Sequence, residues 1–447
     1  MQPTTIDALP DAVLVSIFEC IELVHRHRAL PLVCRRWAHL ANAPELLRAV
    51  KVAWKTHRLR DGHILQWLRS LCAWLVSRAA AHVQHLDLAL CDLSWTEWSE
   101  EQQAEAEQAL ESALAACGSL AELRLMTNLV HSAGAWVAPL HSLRRLHLTL
   151  MSEARDTPVW ALHHLTALDQ LELLGGRIRL QPGAGLPSSL TSLRLGGTRP
   201  GVLTQQVHAL ASLRSLTLSG CAHEADALEA LARLASLRRL EVVRCRVPSC
   251  LPWLTSLRAL IVRDDGEDID FEVEEEDVEY VEEALPCLGQ LTFLELTQAP
   301  RPPEALPTLR TLRSLGLSWR SREDAAMPAG AWTKGLRRLV APCAWIAGGV
   351  QALRAPHLCV LGVASADRDD HDGRGLARIM HWAVQLPSLK VVAVAGPSLP
   401  MGACAAIVDA QRLCPGLLLL PCRHMPLPML LPSYDSDGED EDEDEDV

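Results

Sequence analysis

The chain has 447 residues, 49% of them hydrophobic, 4% aromatic and 22% charged. That apolar share excludes a wholly disordered chain, and a leucine-dominated core beside only 3 Phe and 2 Tyr points to repetition rather than an irregular globule. The net charge of −13 conceals a division: 264–283 holds 13 acidic residues and 435–446 another 10, with no Lys or Arg in either, so the remainder stands at +10.

At the N-terminus, Asp7, Asp11, Glu19 and Glu22 interrupt any apolar run, so no secretory signal is expected. The 14 cysteines include no Cys-x-x-Cys and are scattered through apolar stretches, and they read as small buried hydrophobes of a reducing cytoplasm or nucleus. Three short amphipathic segments follow, Pro10 to Leu23, Leu30 to Leu40 and Pro44 to Val50. About 45 residues cannot bury an adequate core alone. Their surplus of Leu, Ile and Phe marks a surface that meets another protein or caps the rest of the chain.

The run IDALPDAVLVSIFECIEL, followed by ALPLVCRRWAHLANAPELLRAV, resembles the F-box family. The resemblance rests on Leu9-Pro10, Val13, Leu14, Ile17, Phe18, Leu32, Val33, Cys34, Arg35, Trp37, Leu40, Pro44 and Leu47. It departs where the family often has Leu-Trp and this chain has Leu46-Leu47. The resemblance implies an all-α domain over 5–50. Such a domain docks on a Skp1-like adaptor and, through it, on a cullin. The implied adaptor contacts are Leu9, Pro10, Val13, Leu14, Ile17, Phe18, Leu32, Val33, Cys34 and Trp37. Residues 51–82 then read as linking helices, with an amphipathic pattern from His63 to Arg78.

From 83 to 425 the template L-x-x-L-x-L recurs, first at Val83/Leu86/Leu88 and then at Leu120, Leu143, Leu168, Leu190, Leu213, Leu237 and Leu257. Further copies start at Leu291, Leu312, Leu336, Leu358 and Leu389. From Leu120 to Leu257 the spacings are 23, 25, 22, 23, 24 and 20 residues, the period of leucine-rich repeats. The last two leucines alternate with polar residues, which is a short strand with one buried face. Since one strand cannot bury its leucines alone, neighbours stack into a curved parallel sheet with a helical or irregular convex side. The fold class is therefore α/β, an all-α F-box followed by a leucine-rich-repeat solenoid.

Turn positions after the strands hold Cys91, Asn128, Gly176, Thr198, Cys221 and Cys245. Ser99 to Ala116 and Glu224 to Ala235 read as helical return segments and Gln181 to Pro187 as an extended one. The spacing of 34 from Leu257 to Leu291 places the acidic stretch 264–283 in an extruded loop, made less uniform by Phe271, Val273, Val278, Tyr280 and Val281.

The outward strand positions would line the concave face and meet a protein substrate. Arg124, Arg145, His147, Glu172, Arg194, Arg239, Glu241, Arg263, Phe293, Glu295 and Arg338 stand there, with Glu122 among them. Arginines also recur just before the strand, at Arg144, Arg214, Arg238, Arg258, Arg313 and Arg337. They read either as a solvated ridge or as a surface for an acidic or phosphorylated substrate.

Residues 426–447 form a Pro-rich and acidic tail, in which Ser436 precedes Asp437 and Glu439. The apolar segment Leu413 to Leu431 is expected to fold over the last repeats, which present Val360, Ala364, Val391, Ala393 and Ala395 outward. Val391 to Val408 has no charge, but Gly396, Pro397, Pro400 and Gly402 break it, so no membrane span is expected. Cys404, Cys414, Cys422 and His424 match no zinc spacing, and Asp367, Asp369, Asp370 and Asp372 with Gly373 fail the calcium-loop pattern. No catalytic or cofactor motif stands out, so no cofactor and no enzymatic activity are expected. Nucleic-acid binding by the +10 body ranks last, for want of an aromatic and basic recognition motif. The sequence thus reads as a substrate-recognition subunit of an SCF-type ubiquitin ligase, in cytoplasm or nucleus, with a non-ligase repeat scaffold as the alternative.

Overall fold

The computed structural model describes residues 6–53, 61–90, 98–127, 129, 135–150, 157–159, 162–175, 178–180, 185–197, 210–220, 229–263, 275–299, 301–319, 327–351, 353–364, 373–395 and 401–422. They fall into two compact units, 1–250 and 251–447. The turn positions Cys91, Asn128, Gly176, Thr198 and Cys221 lie outside the described residues, as do Asp367 to Asp372, Phe271, Val273 and the tail with Ser436.

The first unit opens with four helices: α1 (Asp11–Glu19), α2 (Leu23–Val33), α3 (Arg35–Leu40) and α4 (Pro44–Leu47). Periodicity placed Leu30 at the start of a second segment, but α2 runs on through Pro31. The break comes at Cys34, whose extended backbone lets its sulfur accept the Trp37 N–H at 3.5 Å and start α3. Leu14, Phe18, Leu30, Leu40, Ala41 and Leu46 form the shared core, with Leu9, Ile21 and Trp37 packed against it. The Phe18 and Trp37 rings meet edge to face at 5.0 Å. Burying a ring the size of Phe18 contributes about 2–3 kcal/mol.

The chain then enters a strand that the sequence reading missed, β1 (Ala49–Ala53), with Val50 and Val52 inward. The linking segment holds α5 (Asp61–Trp74), which ends in a π-helical turn, Leu75–Ala79. The repeats follow: β2 (His85–Ala89), α6 (Glu100–Ala116), β3 (Glu122–Thr127), β4 (Arg145–Leu150), β5 (Thr157–Val159), β6 (Gln170–Gly175), β7 (Ile178–Leu180), β8 (Ser192–Gly196), β9 (Ser215–Ser219) and β10 (Arg239–Val243). α6 matches the amphipathic pattern expected from Ser99 to Ala116, and Ser99 caps it in a reciprocal box with Gln102. Glu229–Arg233 is a 3-10 turn rather than the expected helix, and 221–228 lie outside the described residues.

The strands of this unit pair in parallel in the order β1, β2, β3, β4, β6, β8, β9, β10, while β5 and β7 pair separately. The register aligns Leu86, Leu123, Leu146, Leu171, Leu193, Leu216 and Leu240 in one row. Each is at most 2% exposed, because every strand lends its leucines to the next. A second leucine row precedes the strands, where Leu143, Leu168, Leu213 and Leu237 each donate their N–H to Leu140, Leu165, Leu210 and Leu234. Both leucines of each of these turns are buried, which is why apolar residues recur there. Gly175 ends β6 at φ +123°, where a Cβ would lie 1.9 Å from the Leu150 carbonyl oxygen, so the position requires glycine.

The second unit holds β11 (Ala259–Arg263), α7 (Glu275–Ala284), β12 (Phe293–Ala299), β13 (Ser314–Trp319), β14 (Arg338–Pro342), α8 (Cys343–Gly349), β15 (Val360–Ala364), α9 (Arg374–Ala383), β16 (Val391–Ala395), α10 (Met401–Leu413) and β17 (Leu418–Cys422). Its strands pair in parallel in chain order. Two expectations are corrected. The acidic stretch is not loop throughout, since Glu275 to Glu283 lie in α7, where Val278 and Val281 are buried. Of the segment Leu413 to Leu431, Leu418–Cys422 extends the sheet as β17 rather than folding over it, and 423–431 lie outside the described residues; of the outward residues it was to cover, Ala393 is buried and the others are half-buried.

The fold class is as read: α/β, an all-α N-terminal region followed by leucine-rich repeats on a parallel sheet.

Candidate protein-interaction surfaces

The helical unit presents apolar side chains that its own core does not use. On α1, Val13 and Ile17 stand one helical turn apart at 42% and 40% exposure, and at the end of α2 Leu32 and Val33 stand at 85% and 57%. Pro10 and Cys34 are exposed, while Leu9 and Trp37 are half-buried. Leu14 and Phe18 occupy a different place from the one implied for an adaptor contact. Both are fully buried in the unit's own core, because their spacing points them at α3 and α4.

Polar staples hold the four helices in place. The Arg36 guanidinium donates to the Asp11 carboxylate at 2.6 and 2.8 Å and to the Leu9 carbonyl at 2.6 Å, tying α3 to the start of α1. Buried Arg26 donates to the Leu46 carbonyl at 2.9 Å and to that of Ile21 at 3.2 Å, and burial pushes its pKa down. Beside α2 lies a groove of about 190 Å³, lined by Leu23, Val24, His27, Val52, Trp67 and Trp74 among others.

The outward face of the strands in the first unit is a ladder of matched charges. The Glu122 carboxylate meets Arg145 at 2.8 Å, Arg124 at 2.9 Å and His85 at 3.3 Å. Glu172 accepts from His147 at 2.7 Å and faces Arg194 at 3.5 Å. The His147 hydrogen bond holds the Glu172 carboxyl below its usual range against the opposing effect of burial. For Glu122 burial works upward, and Arg145, His85 and Arg124 together outweigh it and lower the pKa. Arg239 pairs with Glu241 at 3.0 Å on β10.

In the second unit Arg263 and Glu295 spend their charges on each other, at 2.7 and 3.2 Å, with side chains 9% and 2% exposed. Gly316 opposite leaves room for the Glu295 side chain, whose Cγ lies 3.2 Å from where a Cβ would stand. Arg338 is half-buried, and burial pushes its pKa down to about 10. Phe293 is half-buried on β12.

The structure thus joins Arg124, Arg145, His147, Glu172 and Arg194 with Glu122 into one patch. Arg263 and Glu295, also at outward strand positions, are buried against each other. The sequence reading missed His85, Asp87 and Lys51, which continue the patch, Lys51 pairing with Asp87 at 3.1 Å. His85 and Asp87 were legible as the outward positions flanking Leu86. Lys51 was not, because it belongs to the unrecognised β1. Among the cysteines, Cys72, Cys117 and Cys250 are buried, with thiols pushed up to about 11, but Cys20, Cys34, Cys287 and Cys404 are exposed, contrary to the reading of all as core residues. Cys245 is buried and donates to the Val243 carbonyl at 3.3 Å in its turn.

Among the described residues no group of three or more His, Cys, Asp or Glu could hold a metal ion. Also among the described residues, no helix is long and apolar enough to cross a membrane.

Residues 6–51 match the F-box-like family. No curated protein sequence matches the chain. Among solved structures, the chain is similar to a leucine-rich-repeat protein of Leptospira interrogans, at 14% identity and a TM-score of 0.33, covering 78% of this chain and 98% of that one. An internalin from Listeria monocytogenes is similar at 14% identity and 0.34, covering 72% and 94%. The plant peptide hormone receptor RGFR1, solved in complex with RGF2, is similar at 15% identity and 0.32, covering 69% of this chain and 53% of the receptor. An F-box-like unit joined to leucine-rich repeats supports a protein-interaction scaffold.

Proposed function

We propose that this chain is a non-catalytic interaction scaffold with two docking surfaces, the F-box-like unit for a Skp1-like adaptor and the strand face of the repeats for a protein partner. The observation that carries this reading is the exposure of Val13, Ile17, Leu32 and Val33 on a small unit whose core is already filled by Leu14, Phe18, Leu30 and Leu46. Covering exposed apolar side chains of a small domain with a partner is favourable. Pro10 and Cys34 are exposed near them in the chain, and Leu9 and Trp37 are half-buried.

The finer form of the reading is the substrate-recognition subunit of an SCF-type ubiquitin ligase. The adaptor would bring a cullin, the repeats would hold the substrate, and the chemistry would belong to other subunits. Such a chain would work in the cytoplasm or nucleus. A second reading draws on β1, which leaves α4 after one residue and pairs with β2. On that reading the helices cap the first repeat, and the chain is a scaffold outside any ligase.

Co-expression with a Skp1-family adaptor separates the two. Capture by the wild type, lost in Val13→Asp, Ile17→Asp, supports the adaptor reading. A folded wild type that captures none leaves the cap reading.

A further inference from the structure

Backbone hydrogen bonds fix a row of residues at the entrance to the strands of the second unit. The Arg258 carbonyl accepts the N–H groups of Thr292 and Phe293 at 2.8 and 3.0 Å, and the Thr292 carbonyl accepts those of Arg313 and Ser314 at 2.8 and 2.9 Å. The pattern repeats from Arg313 to Arg337 and Arg338, from Arg337 to Cys359 and Val360, and from Cys359 to Lys390 and Val391. Arg258, Thr292, Arg313, Arg337, Cys359 and Lys390 therefore stand at successive strand spacings of about 4.8 Å, in a row about 24 Å long.

Four of these six residues are cations, and none is an Asp or Glu. All four cations are exposed, and none forms an ion pair among the described residues. The outward face is different, since Glu122, Glu172 and Glu295 each have cationic partners there. Arg313 and Arg337 stand just before the neighbouring strands β13 and β14, joined by a backbone hydrogen bond, with Arg338 next in sequence. Like charges that close repel, and an anion laid across them relieves the repulsion. The uncharged members, Thr292 and Cys359, offer no ring on which a base could stack, whereas single-stranded nucleic-acid sites set aromatics among their cations. An extended peptide advances about 3.3 Å per residue, so about seven residues span the row.

We infer that this row binds an extended acidic segment of a protein partner, its carboxylate or phosphate groups meeting Arg258, Arg313, Arg337 and Lys390. The inference rests on the reading of the repeats as a partner-binding array and names the chemistry of the partner.

The test is fluorescence anisotropy with the full chain and a labelled 12-residue peptide in which Glu alternates with Gly and Ser. A peptide with Gln for Glu and a 12-nucleotide oligo-dT serve as comparisons. The expected result is binding of the Glu peptide alone, weakening as salt rises. Arg313→Glu, Arg337→Glu should cost at least tenfold in affinity, and Arg313→Gln, Arg337→Gln a smaller loss, in chains whose circular dichroism is unchanged. Reversal of exposed Arg28 on α2 should change affinity less than twofold. Failure of the wild type to bind the Glu peptide, unchanged affinity in the Arg313→Glu, Arg337→Glu chain, or preference for oligo-dT would overturn the inference. Adaptor capture is read separately on the same proteins. A chain that captures adaptor but not peptide sinks this row alone, and one that binds peptide but not adaptor sinks the adaptor reading alone.

Discussion

Arg26 carries its guanidinium to a depth where the residue is 6% exposed, and it does so because the carbonyls of Leu46 and Ile21 take its N–H groups. Replacing it with Met keeps the stem and leaves a buried carbonyl without a donor, at a cost of about 1–3 kcal/mol. The expected outcome is faster hydrogen exchange throughout α1 to α4, and unchanged exchange there would contradict the staple. Glu172 allows a prediction with a sign. Its pKa is depressed in the folded chain, chiefly by the His147 hydrogen bond, so its contribution is present above the unfolded carboxylate value of about 4.3 and is lost as pH falls through the lower folded value. Glu172→Gln should therefore lower the urea midpoint at pH 7 and converge on the wild type in acid. A difference that stays constant down to pH 3 would remove the carboxylate from the account. None of this was legible beforehand. The sequence placed Glu172, His147 and Arg194 on one face, but which charge meets which depends on strand register, and register is a property of the assembled sheet.

At the scale of elements, the repeat leucines were legible because a period near 23 residues has few other physical causes. Their burial follows from the template, and Leu216→Ala in mid-sheet should cost about 2–5 kcal/mol by chemical denaturation. Ser99→Ala should cost about 1 kcal/mol at the start of α6. Exchange at the first turn of α6 would report that loss, and no change there would deny the capping box a role. The failures have local causes. β1 does carry the template, as Leu47/Val50/Val52, but it begins inside the stretch read as F-box and was passed over for that reason. α7 was masked by its charges, although Val278 and Val281 lie three apart, as one helical face requires. In the helical unit the resemblance did not separate core residues from surface ones. Leu14 and Phe18 fill the core, while Val13 and Ile17 on the same helix face water. Leu14→Ala would therefore unfold the unit, whereas Val13→Asp changes only its surface.

At the scale of the whole molecule, charge is segregated along the sequence: two acidic stretches of 13 and 10 residues against a remainder of +10. On the described strands the outward carboxylates are matched by cations, and four exposed cations without ion pairs stand in a row at the strand entrances of the second unit. With the apolar surface of the F-box-like unit, the two proposed sites differ in chemistry, so binding at the first should be insensitive to salt and binding at the second sensitive to it. Adaptor binding at the first of them is the property on which the proposed function stands. Calorimetric titration of a purified Skp1-family adaptor into the full chain tests it most directly, with Val13→Asp, Ile17→Asp as the comparison. The account predicts saturable binding by the wild type with a negative heat-capacity change, as apolar burial requires, and at least a hundredfold loss in the variant. Absence of heat with the folded wild type, or equal affinity in the two proteins, would contradict it.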